Sequence, residues 1–338
     1  MSGARPGEEP VGTMCGPVFV VGAPRSGTTL VYSILLASGE FPLYRAESRI
    51  VECSTRYGPL RRDANFRRFL RDYRSSRQFA RSGLTIRDLE AAPPDSRSSY
   101  AAFLGYFMGL IAQRQGRGRW AEKTPNHLFH MSELEAEFPA ARFIHVVRDG
   151  RDVALSQRRL RMDRSPSRDP VIRLLWAGRI WERIARAGRR SGARLGKRYL
   201  EIRYEDVIED LDGALARLAD FTGLELSRAA VEASEVAALG EANTAFGVGM
   251  GGVSARALQR WRSALSPEEI DVLHWSIGRT LRAFGYEAEA GSPGRGPVAL
   301  RRKIHHHLSA SAIGGKRFLN RHTPLGRLAR KPLEIGLT

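Results

Sequence analysis

The chain has 338 residues, of which 42% are hydrophobic and 27% charged, and its formal net charge is +18 at pH 7. These fractions are typical of a globular protein, and no apolar run approaches the length of a transmembrane helix, so we expect no membrane-spanning helix. Because the first residues lack the pattern of a secretory signal, we expect a cytoplasmic protein in which Cys15 and Cys53 are free thiols.

The first predicted elements surround a glycine-bracketed turn. An apolar strand over residues 17–21 is followed by the loop Gly22–Gly27 and by a helix that begins near residue 28. The G-x-x-x-x-G spacing is that of a P-loop, whose backbone N–H groups and helix N-terminus bind an anion. Thr28 stands where nucleoside triphosphatases have a lysine, which argues against triphosphate chemistry. Arg25 supplies a cation inside the loop instead.

The next part of the chain is predicted to be mainly helical. Residues 40–57 are predicted to be a loop or a short irregular segment, and residues 58–115 to be helical and basic. A short strand end over 120–124 and a helix over 127–138 follow.

A second motif begins with another apolar strand. Residues 142–157 predict a strand that ends at Arg148, then a turn, then a helix that carries Ser156. A planar guanidinium can bind a phosphate through two hydrogen bonds, and a hydroxyl adds a further donor. The structural alternative for Arg148 is a salt bridge to Asp149 or Asp152.

The rest of the chain continues the alternation of strands and helices. The pattern predicts helices over 170–190, 211–222, 256–261 and 267–284, a strand over 199–203 and a glycine-rich piece over 245–254. Such alternation implies a parallel sheet covered on both faces, with ligands at the carboxyl ends of its strands. After Glu287, short apolar pieces alternate with basic residues and show no long helical period. We therefore expect a disordered leader (1–16), one α/β domain (17–287) and a basic tail (288–338).

The two motifs resemble those of the sulfotransferases that use 3′-phosphoadenosine 5′-phosphosulfate (PAPS). Residues 24–29, Pro-Arg-Ser-Gly-Thr-Thr, are similar to the family's 5′-phosphosulfate loop, and Arg148 with Ser156 is similar to its 3′-phosphate site. The resemblance implies a P-loop-type α/β sulfotransferase fold and sulfuryl transfer from PAPS to a hydroxyl, with PAP as product and no required metal. It implies that PAPS is bound by Arg25, Ser26, Gly27, Thr28, Thr29, Arg148, Ser156, Tyr204 and Arg260.

Two of these donor-binding assignments come from other parts of the family pattern. Tyr204 matches the tyrosine that lies near the adenine, and a buried core tyrosine is the alternative. Arg260 stands in the place of a lysine in the tyrosylprotein sulfotransferases, to which the motif pattern is closest, but Gln259 replaces the serine beside it. In this family the glycine-rich region closes over the nucleotide, and residues 55–115 are expected to shape the acceptor pocket.

Lys123 is the candidate for the cation at the leaving group. Only Lys123 and Lys197 are lysines before the tail of a chain rich in arginine, which favours a site that needs a compact ammonium at Lys123. The surrounding Trp120–Pro125 is similar to the Lys-x-Pro element of the tyrosylprotein enzymes.

The candidate general base is Glu47, followed by Ser48 and Arg49 and lying 22 residues after Arg25. This arrangement is similar to the base of the tyrosylprotein enzymes, and a carboxylate near a donor site can accept a proton. Pro125 replaces the histidine base of the cytosolic enzymes, and His127 is the second candidate.

The positive charge is concentrated in two regions. Residues 61–87 contain nine arginines and two aspartates, and residues 291–338 contain ten Lys or Arg and one Glu. Solvated helix faces and an anionic acceptor, membrane surface or nucleic acid are alternative explanations. We expect a hydroxyl-bearing acceptor (a glycan or glycolipid, a secondary metabolite or a tyrosine), an anionic membrane as a candidate partner of the tail, and no nucleic acid. A P-loop phosphotransferase or NTPase and a basic binding module remain the alternative functions.

Overall fold

The computed structural model describes residues 16–233 and 258–322, with side chains as far as Ser309. Within these ranges one parallel sheet contains the strands β1 (Val18–Gly22), β2 (Ala121–Lys123), β3 (Arg142–Val147) and β4 (Tyr199–Arg203). Their order is β2-β1-β3-β4, so β1 and β3 are the inner strands. The residue after each strand therefore lies at the same edge of the sheet.

Helices connect and cover the strands. They are α1 (Thr28–Leu36), α2 (Ser54–Tyr57), α3 (Asp63–Tyr73), α4 (Arg77–Ala80), α5 (Ile86–Glu90), α6 (Tyr100–Arg114), α7 (Met131–Glu137), α8 (Gly150–Arg159), α9 (Pro170–Gly192), α10 (Tyr204–Glu209), α11 (Leu211–Thr222), α12 (Arg228–Ala233), α13 (Arg260–Ala264), α14 (Pro267–Ala283) and α15 (Gly296–His322). Short 3-10 helices span Val51–Cys53, Asp95–Arg97, Pro125–His130 and Gly196–Arg198. The alternation expected from the sequence is confirmed.

Alternate residues of β1 enter two different apolar cores. Val18 and Val20 pack with α1 and α11, whereas Phe19 and Val21 pack with α6 and α9. Neighbouring side chains of a strand face opposite sides of the sheet, so a strand covered on both sides is apolar at every position. This explains the continuous apolar run before Gly22 and confirms the predicted layers of helix, sheet and helix.

The region over residues 55–115 is helical, as predicted, and belongs to the main core. Phe69 and Phe103 are fully buried and pack edge to face, with ring centroids 5.5 Å apart. Both lie in the same apolar cluster as Phe19 of β1. Residues 55–115, called the helical insert below, are therefore an integral part of the domain, and most of their arginines are exposed.

A cluster of charged side chains joins α9 to β4. Glu201 lies 2.5 Å from Arg189 Nη2 and 3.5 Å from His145 Nδ1. Burial alone raises the pKa of the Glu201 carboxyl, but the hydrogen bonds and charges of His145 and Arg189 outweigh burial and lower its pKa from 4.5 to about 2. The stabilisation is therefore complete above pH 4.5 and is lost as the pH falls through about 2.

Replacing this carboxylate should flatten the acid limb of the stability curve. We expect Glu201→Gln to lose roughly 1–3 kcal/mol of unfolding free energy at neutral pH and progressively less towards pH 2, because wild-type Glu201 itself becomes protonated there. Urea unfolding at several pH values measures this difference. A deficit that stays constant down to pH 2 would contradict the assignment.

The tail differs from the sequence-based expectation. No long helical period was expected after Glu287, and this was wrong, because α15 continues over 27 residues. Its inward contacts are polar as well as apolar: Trp176 Nε1 donates to His305 Nδ1 at 3.4 Å, and Arg302 pairs with Glu268 at 2.5 Å. Polar residues on the packed face conceal the apolar periodicity that identifies most helices.

Several predictions fall outside the described residues, among them Cys15, almost all of the leader and the glycine-rich piece over 245–254. Cys53 lies within them and is a buried free thiol. Among the described helices none is long and apolar enough to cross a membrane. The described residues include no group of three or more His, Cys, Asp or Glu side chains that could hold a metal ion.

Candidate active site

The loop after β1 requires glycine at two positions. A Cβ on Gly22 would lie 2.5 Å from Val146 O, and a Cβ on Gly27 would lie 2.2 Å from Tyr204 Cδ2. Gly27 also has a φ of 94°, in the left-handed region that favours glycine. Arg25 has a φ of 78°, which is uncommon for a residue with a side chain. The chain thus turns tightly between β1 and α1, with Arg25 at the bend.

Ser26 and the two threonines have different surroundings. The buried Ser26 Oγ lies 2.7 Å from Ala23 O and 3.0 Å from Val146 O, so its hydroxyl joins the loop to β3. Thr28 and Thr29 open α1, the first buried and the second exposed. No described side chain caps this helix start, and its first turn contains no acidic residue. The helix therefore presents N–H groups and a positive dipole end suited to an anion.

The two sequence motifs meet at this edge of the sheet. Arg25 Nε donates to Ser156 Oγ at 3.2 Å, across 131 residues of sequence. The Arg148 guanidinium carbon lies 4.4 Å from the centroid of the Tyr204 ring, and Cδ2 and Cε2 of the same ring limit the space at Gly27. Tyr204 is almost fully buried and packs against residues of both motifs. Its contact with adenine stays a prediction.

Asp152 links Arg148 to the carboxyl-terminal part of the chain. Arg148 Nη2 lies 3.5 Å from Asp152 Oδ2, and the backbone N–H of Trp261 donates to Asp152 Oδ1 at 2.9 Å. Burial raises the pKa of the Asp152 carboxyl despite the opposing charge of Arg148. The start of α13 is thereby held against α8, and Arg260, the residue before Trp261, is exposed beside this junction.

Glu47 and Lys123, the predicted base and the predicted cation, form an ion pair. Lys123 Nζ lies 3.1 Å from Glu47 Oε1, and the side chains are 12% and 39% exposed, respectively. Lys123 is the last residue of β2 and pairs in register with Val20 of β1. The ion pair therefore lies at the carboxyl ends of the strands, the same edge of the sheet as the loop with Arg25.

His127, the second candidate for the base, lies below this surface. Its side chain is fully buried, and its Nδ1 is 2.8 Å from Glu122 Oε2. Burial lowers the pKa of the His127 imidazole, but the charge of the neighbouring Glu122 carboxylate outweighs burial, and the pKa lies above its ordinary value. A fully buried imidazole is poorly placed to meet an acceptor, and the roles of His127 and Glu47 as bases stay predictions.

The helical insert contacts the segment that carries Glu47. The Tyr73 hydroxyl donates to Ser48 O at 2.9 Å, and Arg81 Nη1 donates to Arg45 O at 2.8 Å. Residues on either side of Glu47 are thus held by α3 and by the residue that follows α4. That the insert shapes an acceptor pocket stays a prediction.

Two carboxylates that contact residues of this site are not among the residues predicted for it. The sequence offers Asp152 only as an alternative partner of Arg148, although the spacing of four residues favours such a contact. Glu122 is the other. The available signal was an acidic residue inside a short buried strand, which requires a hydrogen-bonding partner.

The fold and the site define an α/β protein with two cationic loops at one edge of a parallel sheet. The Sulfotransferase family matches residues 17–228, which is more than half of the chain, and the chain therefore belongs to this family. No curated protein matches the chain.

Two solved structures are similar in fold. The sulfotransferase domain from the Synechococcus PCC 7002 olefin synthase is 22% identical, with a TM-score of 0.53 over 81% of this chain and 96% of that chain. The sulfotransferase domain from the curacin biosynthetic pathway is 18% identical, with a TM-score of 0.54 over 80% of this chain and 98% of that chain. Both confirm the sulfotransferase fold.

Substitution of Gly27 should separate steric exclusion from simple backbone strain. Gly27→Ala forces a Cβ to within 2.2 Å of Tyr204 Cδ2, whereas Gly39, with a φ of 71°, has no atom within 4 Å of its added Cβ. We expect Gly39→Ala to cost about 1 kcal/mol of unfolding free energy from strain alone, and Gly27→Ala to cost clearly more because Tyr204 must move. Chemical unfolding of both variants measures this, and equal losses would contradict the packing of Tyr204.

Proposed function

We propose that this protein is a PAPS-dependent O-sulfotransferase. The observation that carries the proposal is the contact of Arg25 with Ser156, which brings together the two motifs assigned by resemblance to the two ends of the donor. Membership of the sulfotransferase family supports the transfer of a sulfuryl group. The donor and the type of acceptor are the steps that this proposal adds.

The residues present fit a doubly phosphorylated nucleotide. Arg25 and the N-terminus of α1 would hold its 5′ end, and Arg148 with Ser156 would hold its 3′-phosphate. Asp152 contacts Arg148 and also accepts a hydrogen bond from a backbone N–H. The negative charge of Asp152 is therefore compensated within the protein. When bound, PAPS supplies an activated sulfuryl group.

Glu47 and Lys123 would share the chemistry of transfer. Glu47 would accept the proton of the acceptor hydroxyl. Lys123 and Arg25 would place positive charge at the 5′-phosphate of the bound donor, which gains negative charge when the sulfuryl group is transferred. The 3.1 Å contact between Glu47 and Lys123 holds the two side chains together before the reactants bind.

Labelled sulfate provides the direct test. The protein should transfer label from ³⁵S-PAPS to a component of fractionated extract of the source cell, and Glu47→Gln should abolish most of this transfer. Glu133→Gln is a matched control. Glu133, on α7, is 37% exposed, close to the 39% of Glu47, and its carboxylate also lies near a basic side chain, 3.2 Å from His130 Nδ1. No transfer by the wild-type protein to any fraction would contradict the function, and equal transfer by Glu47→Gln would contradict the role of that residue.

We further propose that α15 rests on an anionic membrane surface. Leu300, Ile304 and Leu308 recur every four residues, so they share one helix face, and they are 61%, 49% and 50% exposed. The sequence of α15 contains no acidic residue and carries six Lys or Arg. Exposed apolar side chains beside cations favour the interface of an anionic bilayer.

Vesicle flotation tests this surface. Wild-type protein should float with vesicles of phosphatidylcholine and phosphatidylserine, and the triple substitution of Leu300, Ile304 and Leu308 by glutamine should reduce the floating fraction severalfold. Leu43→Gln is the control, because Leu43 is exposed but is not on α15. Unchanged flotation of the triple variant would contradict the proposal.

A further inference from the structure

Glu122 is a charged residue at the centre of the short strand β2. It pairs in register with Phe19 of β1, and its side chain is fully buried. Side chains alternate along a strand, so Glu122 and Lys123 lie on opposite faces of β2. An ionised carboxylate in this position requires several donors, because burial without them is very costly.

The structure supplies those donors from two segments. Glu122 Oε1 accepts hydrogen bonds from Ser48 N at 3.0 Å, from Ser48 Oγ at 2.8 Å and from Thr124 Oγ1 at 2.5 Å. His127 Nδ1 lies 2.8 Å from the other oxygen, Oε2. Burial alone raises the pKa of the Glu122 carboxyl, but His127 and these hydrogen bonds outweigh it, so the pKa lies below its ordinary value.

The bonded residues are the immediate neighbours of the two catalytic candidates. Ser48 follows Glu47, and Thr124 follows Lys123. Arg49, the residue after Ser48, has a φ of 53°, and its backbone N–H donates to Thr124 Oγ1 at 3.4 Å. One buried carboxylate therefore joins the loop that carries Glu47 to the strand end that carries Lys123.

We propose that Glu122 is a positioning residue that holds Glu47 and Lys123 in the arrangement needed for transfer. This inference rests on the proposed function. Glu122 reaches the reaction only through Ser48 and Thr124. His127 contacts the oxygen of Glu122 that Ser48 and Thr124 do not bind, so it helps to fix the position of this carboxylate.

Glu122→Gln tests the proposal by the kinetic constant that it changes. A glutamine has a similar shape but lacks the negative charge. It therefore binds the N–H and the hydroxyl of Ser48 less strongly and no longer attracts His127. We expect kcat to fall at least tenfold, while KM for PAPS and the Kd for PAP stay within about twofold, because the donor-binding residues are untouched. A parallel loss of PAP affinity, or an unchanged kcat, would overturn the proposal.

Glu201→Gln is the matched control. Glu201 lies on β4 and, like Glu122, is a carboxylate beside a histidine of this fold. Its side chain contacts His145, Arg189 and Tyr199, which lie outside the segments that carry Glu47 and Lys123. A similar loss of thermal stability without a loss of kcat is expected. If both variants lose kcat equally, the effect of Glu122 is one of general stability and the positioning role is overturned.

Hydrogen–deuterium exchange separates this inference from the proposed function. The Ser48 amide donates directly to Glu122, so its exchange should accelerate at least tenfold in Glu122→Gln even if the wild-type protein transfers no sulfate. Unchanged exchange at Ser48 would overturn the inference. Should Glu122→Gln fail to fold, Ser48→Ala provides the second variant, with an expected severalfold loss of kcat and an unchanged PAP affinity; an unchanged kcat would count against the proposal.

Discussion

Replacement of Lys123 by alanine is expected to lower kcat by about 10²- to 10³-fold, the range found when one preorganised electrostatic group is removed from an active site. The physical reason is that the Lys123 side chain is only 12% exposed. It lies at the sheet edge that carries Arg25, where the proposed transfer would develop charge on the leaving phosphate. Stability should change by less than about 1 kcal/mol, because its partner Glu47 remains partly solvated. Initial rates with labelled PAPS, together with chemical unfolding, measure the two effects.

Two further variants define what Lys123 contributes. Lys197→Ala removes the other lysine before the tail, from an exposed 3-10 helix, and should leave kcat unchanged. Lys123→Arg retains the charge but replaces a compact ammonium by a planar fork, so it should recover only a small part of the rate. Full activity of Lys123→Ala would remove the residue from the mechanism.

Replacement of Arg148 by alanine is expected to raise the Kd for PAP by about 100-fold, because two charge-assisted hydrogen bonds to the 3′-phosphate together contribute roughly 3 kcal/mol. Arg148→Lys keeps the charge near Asp152 but loses the fork, so it should weaken binding by about tenfold. Isothermal calorimetry with PAP measures both constants. The lysine variant keeps a cation beside buried Asp152. It therefore separates weaker phosphate binding from the loss of stability expected when Asp152 has no cationic partner.

An arginine at the end of another strand, with a similar aromatic contact, serves as the control for Arg148. Arg203 ends β4, and its guanidinium carbon lies 4.5 Å from the centroid of the Tyr286 ring, much as that of Arg148 lies 4.4 Å from Tyr204. Arg203→Ala should reduce stability without changing PAP affinity. Equal weakening by the two substitutions would show that packing at the sheet edge, and not phosphate binding, is responsible.

The elements that the sequence predicted well are those that depend on local pattern. The apolar strands before Gly22 and Arg148 and the glycine-bracketed loop follow from contacts between near neighbours in sequence. Their common position at one sheet edge follows from parallel topology. The resemblance to sulfotransferases then identified the family, which the comparison confirmed.

The features that could not be predicted depend on contacts over long sequence distances. Nothing in the sequence near Glu122 shows that Ser48, 74 residues away, donates to it twice. The direct contact of Glu47 with Lys123 likewise joins segments 76 residues apart. The helix α15 escaped prediction for a different reason, because histidines and an arginine occupy part of its packed face.

The central claim is that one nucleotide with phosphates at both its 5′ and its 3′ positions binds across the two motifs. Thermal unfolding of the pure protein tests it most directly, with PAP compared with adenosine 5′-phosphate, which lacks the 3′-phosphate. At 100 times its Kd, PAP should add about 2.7 kcal/mol of unfolding free energy, and adenosine 5′-phosphate at the same concentration should add much less. An unfolding transition that does not move at any concentration of PAP, or that moves equally with both nucleotides, would contradict the account.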